Sequence, residues 1–260
     1  MHSLGILGVG ELTEKVVYGL RRTGYAGAIL LSPRNAARAE ALARDFDCRV
    51  LADNQAVVDG AELLLLGVRP ADVAQLAGEV RVHAGQRLVS LAAGIGLEQL
   101  ATLFPGAQCV RLMLSYAAQF SQSTVVVCPA DPVSQAAFAP LGTLVALEDE
   151  AAFELATVAA CMNGWFYFLL DDLQQWLFDK GMAEADARAL VLGNLQDCLL
   201  SARTRPEQSL KALGEAIATP GTFTADGLKV LMHQPVGATW GAACEVVLDG
   251  LLTRSRLPLP

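Results

Sequence analysis

The stretch Leu4-Gly5-Ile6-Leu7-Gly8-Val9-Gly10-Glu11-Leu12-Thr13 decides the fold. An apolar run short enough to be a buried strand leads directly into Gly-Val-Gly, and the turn opens onto a helical pattern over Glu11–Thr23. Strand, glycine turn and helix in that order bring backbone N–H groups and the positive end of a helix to a dinucleotide's pyrophosphate. Gly8 permits the tight turn and Gly10 lets the backbone come close. Gly8, Gly10, Glu11 and Leu12 are therefore expected to bind a cofactor. Thr13 stands where a third small residue is usual, at a close helix–strand contact.

Outward from this turn the same alternation continues. Strands are expected at Leu4–Leu7, Ala28–Leu31, Arg49–Leu51, Leu63–Gly67, Arg87–Ser90, Gln108–Leu112, Thr124–Cys128 and Gly142–Leu147, with helices between most of them. Such a succession implies an α/β fold: an N-terminal Rossmann domain with a doubly wound parallel sheet over residues 1–147. Beyond Glu148 the strand signal ends. Helical spacing runs through Ala151–Lys180, Ala183–Arg203, Glu207–Ala218 and Thr224–Thr253, which predicts an all-α domain over residues 148–260. Around Trp165–Phe178 the first of these helices is apolar on more than one face, as a helix buried against a partner subunit is, so a homodimer is expected through this domain.

A net charge of -8 argues against a nucleic-acid partner, because phosphate contacts need clustered positive charge. The six cysteines lie far apart with no CxxC pair, so they are read as reduced thiols and no metal site is expected. No signal peptide is recognised, and no uninterrupted apolar run approaches the roughly 20 residues of a bilayer span, so no membrane partner and a cytoplasmic location are expected. His2, His83 and His233 form no acid/base constellation.

The identity of the dinucleotide is read after the second strand, at Leu30-Leu31-Ser32-Pro33-Arg34-Asn35. A carboxylate that would grip the ribose hydroxyls of NAD is missing there. Ser32, Arg34 and Asn35 offer a hydroxyl, a guanidinium and an amide, which suit the 2′-phosphate of NADP, so NADPH is preferred over NADH.

With those residues placed, the chain resembles the pyrroline-5-carboxylate reductase family along nearly its whole length. Val68-Arg69-Pro70 looks like the family's Val-Lys-Pro beside the nicotinamide, and Ser90-Leu91-Ala92-Ala93-Gly94-Ile95 is similar to its Ser-(Ile/Leu)-Ala-Ala-Gly-(Ile/Val). Thr219-Pro220-Gly221-Thr222-Phe223-Thr224 resembles its Ser-Pro-Gly-Gly-Thr-Thr loop, which cradles the substrate carboxylate. The resemblance implies cofactor contacts from Val68, Arg69, Pro70, Ala92, Ala93 and Gly94. It also implies NADPH-dependent reduction of a small cyclic imine, of the proline-forming type.

Departures fall in the substrate half. The family's Arg-Val-Met-Pro-Asn-Thr-Pro stands here as Arg111-Leu112-Met113-Leu114-Ser115-Tyr116-Ala117, and its Gly-Ser-Gly-Pro-Ala-Tyr corresponds to the stretch Cys161–Tyr167. Ser115, Tyr116 and Thr224 are the expected catalytic groups, and Asn163, Thr219, Gly221, Thr222 and Phe223 the expected substrate contacts. A glycine turn opening a helix makes an anion nest, which suits a carboxylated imine. Tyr116, Trp165 and Phe223 add bulk, so a different imine or ketimine reductase with a larger substrate stays open, as does a non-catalytic NADP-binding protein.

Overall fold

The computed structural model describes residues 2–256. Its chain runs β1 (Leu4–Leu7), α1 (Glu11–Arg22), β2 (Ile29–Leu31), α2 (Ala36–Phe46), β3 (Cys48–Val50), α3 (Asn54–Gly60), β4 (Leu63–Leu66), α4 (Val73–Glu79), β5 (Arg87–Ser90), α5 (Leu97–Leu103) and β6 (Gln108–Met113). It continues with β7 (Ser123–Cys128), α6 (Pro132–Phe138), β8 (Gly142–Ala146), α7 (Glu150–Asp179), α8 (Glu184–Thr204), α9 (Leu210–Ile217), α10 (Phe223–Met232) and α11 (Val236–Arg256). The α/β fold with a helical C-terminal half is as expected.

The eight strands form one sheet in the order β3-β2-β1-β4-β5-β6-β7-β8. Sequence order reverses between β1 and β4, whose pairing runs from Leu4↔Leu63 to Leu7↔Leu66. Ligand crevices of doubly wound sheets open at such a reversal, beyond the carboxyl ends of the strands. Along β4 the leucines alternate: Leu63 and Leu65 enter one apolar cluster with α1 and α2, while Leu64 and Leu66 enter the other with α3 and α4. Burial on both faces is why these strands read as continuous apolar runs.

The expectation of an all-parallel sheet is corrected at one pairing: β6 and β7 are antiparallel, with Arg111 opposite Cys128. Between them the chain has only a short connection carrying the 3-10 turn Tyr116–Phe120. A parallel crossover needs a dozen or more residues, so this link can only fold back. β8 then returns parallel to β7 after α6.

Two compact units emerge, one reaching Ala160 and including the chain from Val247, the other spanning Cys161–Val246. Two sequence expectations are corrected in the helices. The single segment foreseen over Thr224–Thr253 is two helices, α10 and α11, with Pro235 just before the second, where a ring without N–H suits a helix start. Also, α7 is 30 residues long and apolar enough to cross a bilayer by length and composition. Along the sequence Glu154 and Asn163 interrupt the apolar run, but they do not interrupt the helix.

In the Cys161–Val246 unit few side chains are buried, while Phe168, Trp176 and Leu200 stand 75%, 60% and 60% exposed. Phe166, Leu170, Leu173, Trp176, Val191 and Leu195 line an open apolar groove between α7 and α8. Trp240 of α11 closes against Trp165 and Phe166, with ring centroids 5.9 and 5.5 Å away.

Candidate cofactor and active site

Gly8 ends β1 at φ +98, and a Cβ there would lie 2.6 Å from Val68 Cγ1 and 2.7 Å from the Val68 nitrogen. Only glycine tolerates both that dihedral and that approach. Gly10 caps α1, with its N–H donating to Thr13 Oγ1 at 2.8 Å. The Thr13 hydroxyl in turn lies 3.1 Å from the Gly8 carbonyl and 3.0 Å from that of Gly10. Thr13 is thus a brace of the turn, and Gly67 makes room for it: a Cβ at Gly67 would sit 2.3 Å from Thr13 Cγ2.

The end of β2 is fastened to the same turn. Gly8 N–H donates to Ser32 Oγ at 3.0 Å, and the Asn35 side-chain amide donates to the Val9 carbonyl at 3.0 Å. Ser32 is buried. Arg34, exposed, lines a narrow slot with Gly8, Ser32, Val68 and Leu76. Besides Leu76, two polar residues of this slot were not foreseen: Asn54 of α3, whose amide donates to Glu79 of α4 at 2.9 Å, and Glu79 itself. Neither belongs to a motif, and only the packing of α3 beside α4 brings them there. Arg38, one turn along α2, is held by Glu14 at 3.2 Å.

On the other side of the turn a second crevice opens beyond the carboxyl ends of β5 and β6. Leu12, Ala92 and Ala93, three of the expected cofactor contacts, line it together with Leu114, Phe153 and Thr157. Gly94 turns at φ +74, a conformation that favours glycine, and the side chain of Arg254 lies at ordinary contact distance, 3.4 Å from where a Cβ would stand. Arg69 and Pro70 are exposed at the start of the 3-10 turn Pro70–Asp72.

Ser115 follows β6. Its hydroxyl accepts the Ala117 N–H at 3.3 Å and lies 3.3 Å from Ser123 Oγ, so in this structure it caps the turn that carries Tyr116. Tyr116 is half exposed. Burial first, and then the neighbouring Glu11 carboxylate, pushes its phenol above the usual tyrosine range.

The remaining expected groups lie in the Cys161–Val246 unit. Gly221 adopts φ +87, and Thr222 caps α10 by accepting the Ala225 N–H at 3.2 Å while donating to the Thr219 carbonyl at 2.8 Å. Phe223 is 97% exposed and Thr224 is exposed beside it. Asn163 is exposed on α7. The structure thus gathers Thr219, Gly221, Thr222, Phe223 and Thr224 in one helix-opening turn. Of the expected cofactor contacts, Gly8, Ser32, Arg34 and Val68 line the slot and Leu12, Ala92 and Ala93 the crevice, both in the other unit.

The slot and crevice fit the two ends of a dinucleotide. The strand–turn–helix segment lines both, Gly8 the slot and Leu12 the crevice, and among the described residues the cation in the slot is the exposed Arg34, a group suited to a phosphate. Fold and site together define a Rossmann dinucleotide oxidoreductase with a helical partner domain. Residues 3–94 match the family described as NADP oxidoreductase coenzyme F420-dependent. Residues 150–249 match pyrroline-5-carboxylate reductase dimerisation, so the resemblance to the pyrroline-5-carboxylate reductases extends to the helical half. The chain is 28% identical over 247 residues to the pyrroline-5-carboxylate reductase of Pasteurella multocida, covering 89% of this chain and 90% of that one. In fold it is similar to the 1-pyrroline-5-carboxylate reductase of Streptococcus pyogenes, with TM-score 0.85, 23% identity and coverage of 98% and 99%. It is likewise similar to the Plasmodium falciparum pyrroline carboxylate reductase solved with NADP bound, with TM-score 0.85, 15% identity and 98% of each chain covered.

Proposed function

We propose that this protein is an NADPH-dependent reductase of a small cyclic imine bearing a carboxylate, of the pyrroline-5-carboxylate type, acting as a cytoplasmic homodimer. The observation that carries the reading is the fastened glycine turn, with an arginine-lined slot on one side and the Leu12–Ala92–Ala93 crevice on the other. When bound, the dinucleotide supplies a hydride for the C=N carbon. In this reading the amides opening α1 bind the pyrophosphate, and Arg34 meets the 2′-phosphate by a charge-assisted bond. Ser115 holds the turn of Tyr116, and the Tyr116 phenol or the Thr224 hydroxyl delivers the proton to the imine nitrogen. Amides following Gly221, with Thr219 and Thr222, receive the carboxylate. The apolar groove between α7 and α8 supports a second copy of the chain as its cover, since patches of that kind mark interaction surfaces.

The test is NADPH oxidation by the purified protein with pyrroline-5-carboxylate and a larger cyclic imine offered separately. Turnover of pyrroline-5-carboxylate is expected. Turnover of the larger imine alone would move the substrate assignment, and tight NADPH binding without any turnover would overturn the catalytic reading.

A further inference from the structure

Arg111 heads the fully buried side chains in size among the described residues, although it lies in a strand where an apolar residue would ordinarily stand. Its Nη1 donates to Glu150 Oε1 at 2.9 Å and to Glu154 Oε1 at 2.6 Å, carboxylates one turn apart at the start of α7. Glu150 Oε1 also accepts the Leu97 N–H at 2.8 Å, which ties the start of α5 to the same point. Arg111 Nη2 and Glu154 Oε2 are buried with no partner. Burying such a cluster brings little stability, because desolvation offsets the attraction and well-packed apolar residues often do as well or better. The consequence of the guanidinium's position lies in what else it touches.

It touches Phe153. The guanidinium lies 4.3 Å from the centroid of that ring, while the ring packs with Val126 and Cys128 and against Met113. Phe153 also lines the crevice of Leu12, Ala92 and Ala93, alongside Leu112 and Met113, which directly follow Arg111 in β6. One cation thus fixes both walls: the strand end by covalent continuity, and the Phe153 ring by stacking and by the two glutamates on either side of it in α7.

We propose that Arg111 is a positioning residue that sets the wall of the cofactor crevice through Phe153. The inference rests on the proposed reading of that crevice as the nicotinamide end of the site. Arg111 itself need not touch cofactor or substrate. Its removal loosens the geometry of the reacting ring more than it weakens dinucleotide binding, most of which comes from the glycine turn and the Arg34 slot.

The experiment uses the full chain with Phe153→Leu, Arg111→Lys and the double variant, and reads NADPH affinity, the emission of bound reduced nicotinamide, and kcat. Lysine keeps the charge but not the planar stack. Each single variant should shift the nicotinamide emission and lower kcat about tenfold, as expected for a slightly misplaced reacting group. NADPH affinity should stay within about twofold, and the double variant should be no worse than the poorer single one, since both changes break one device. Unchanged emission, affinity falling in step with kcat, or losses that multiply in the double variant would each overturn the proposal. Should Arg111→Lys fail to fold, Phe153→Leu and Glu154→Gln are read by the same criteria. Wild-type protein that binds NADPH yet reduces neither imine would refute the reaction, while the emission readings would still decide the role of Arg111.

Discussion

The Gly8 N–H donates to the Ser32 hydroxyl across 3.0 Å, so the loop proposed to select the cofactor also holds the turn proposed to bind it. Position and selectivity are therefore separable by mutation. Arg34→Ala should weaken NADPH about tenfold or more, the worth of one charge-assisted bond, and leave NADH nearly unchanged. Ser32→Ala, which leaves the Gly8 amide without its partner, should weaken both dinucleotides. Titration of each variant with NADPH and NADH checks this, and equal losses for Arg34→Ala would remove Arg34 from 2′-phosphate recognition.

Asp131 offers a stability test with a defined sign. Burial pushes its carboxyl up, but the Ser134 amide and hydroxyl at 2.8 and 2.7 Å and the Arg87 guanidinium at 3.1 Å outweigh it and hold it below the usual value of 3.8. A depressed carboxyl contributes stability above its unfolded pKa and loses it as pH falls through the folded value. Asp131→Ala should cost about 1–2 kcal/mol at pH 7, as the loss of a helix cap does. That deficit should shrink below about pH 4. Urea midpoints at pH 7 and pH 3 measure it, and a deficit growing toward acid would contradict the account.

Thiol chemistry reports on burial. Cys48, Cys109 and Cys128 are pushed up to about 11 by burial, which leaves little of the reactive thiolate at neutral pH. A thiol reagent at pH 8 should modify these three only as the protein unfolds, whereas Cys198, exposed in the single chain, should be reached once its groove is uncovered. Peptide mapping over time decides it; early labelling of Cys128 would count against the core of β7.

Cys198 also lines the groove assigned to a second protomer. Its labelling should therefore quicken as dilution separates the protomers. Leu195→Asp, which buries an unpaired charge in that groove, should shift the protein to monomer in sedimentation. A variant that remains dimeric would place the interface elsewhere.

Much of the architecture could be read without coordinates because it rests on local periodicity. The Gly8–Gly10 turn, the alternation through β8 and the helical half all follow from residues near one another in the chain. Leu12, Ala92 and Ala93, which the sequence reading names as cofactor contacts, share one crevice because each sits near the carboxyl end of a strand or in the first turn of a helix. Ser32 is expected from sequence to offer its hydroxyl to the 2′-phosphate, and the bond this hydroxyl accepts from the Gly8 N–H has no sequence signal.

Sequence alone determines the strand–turn–helix units and the cofactor loop, because backbone stereochemistry and apolar spacing act over a few residues. Tertiary structure decides the antiparallel turn-back between β6 and β7, the Asn54–Glu79 contact and the Arg111–Glu150–Glu154 cluster around Phe153. In that cluster partners 39 and 43 residues apart meet inside the fold. Burial there makes an ion pair obligatory where spacing along the chain carries no sign of it.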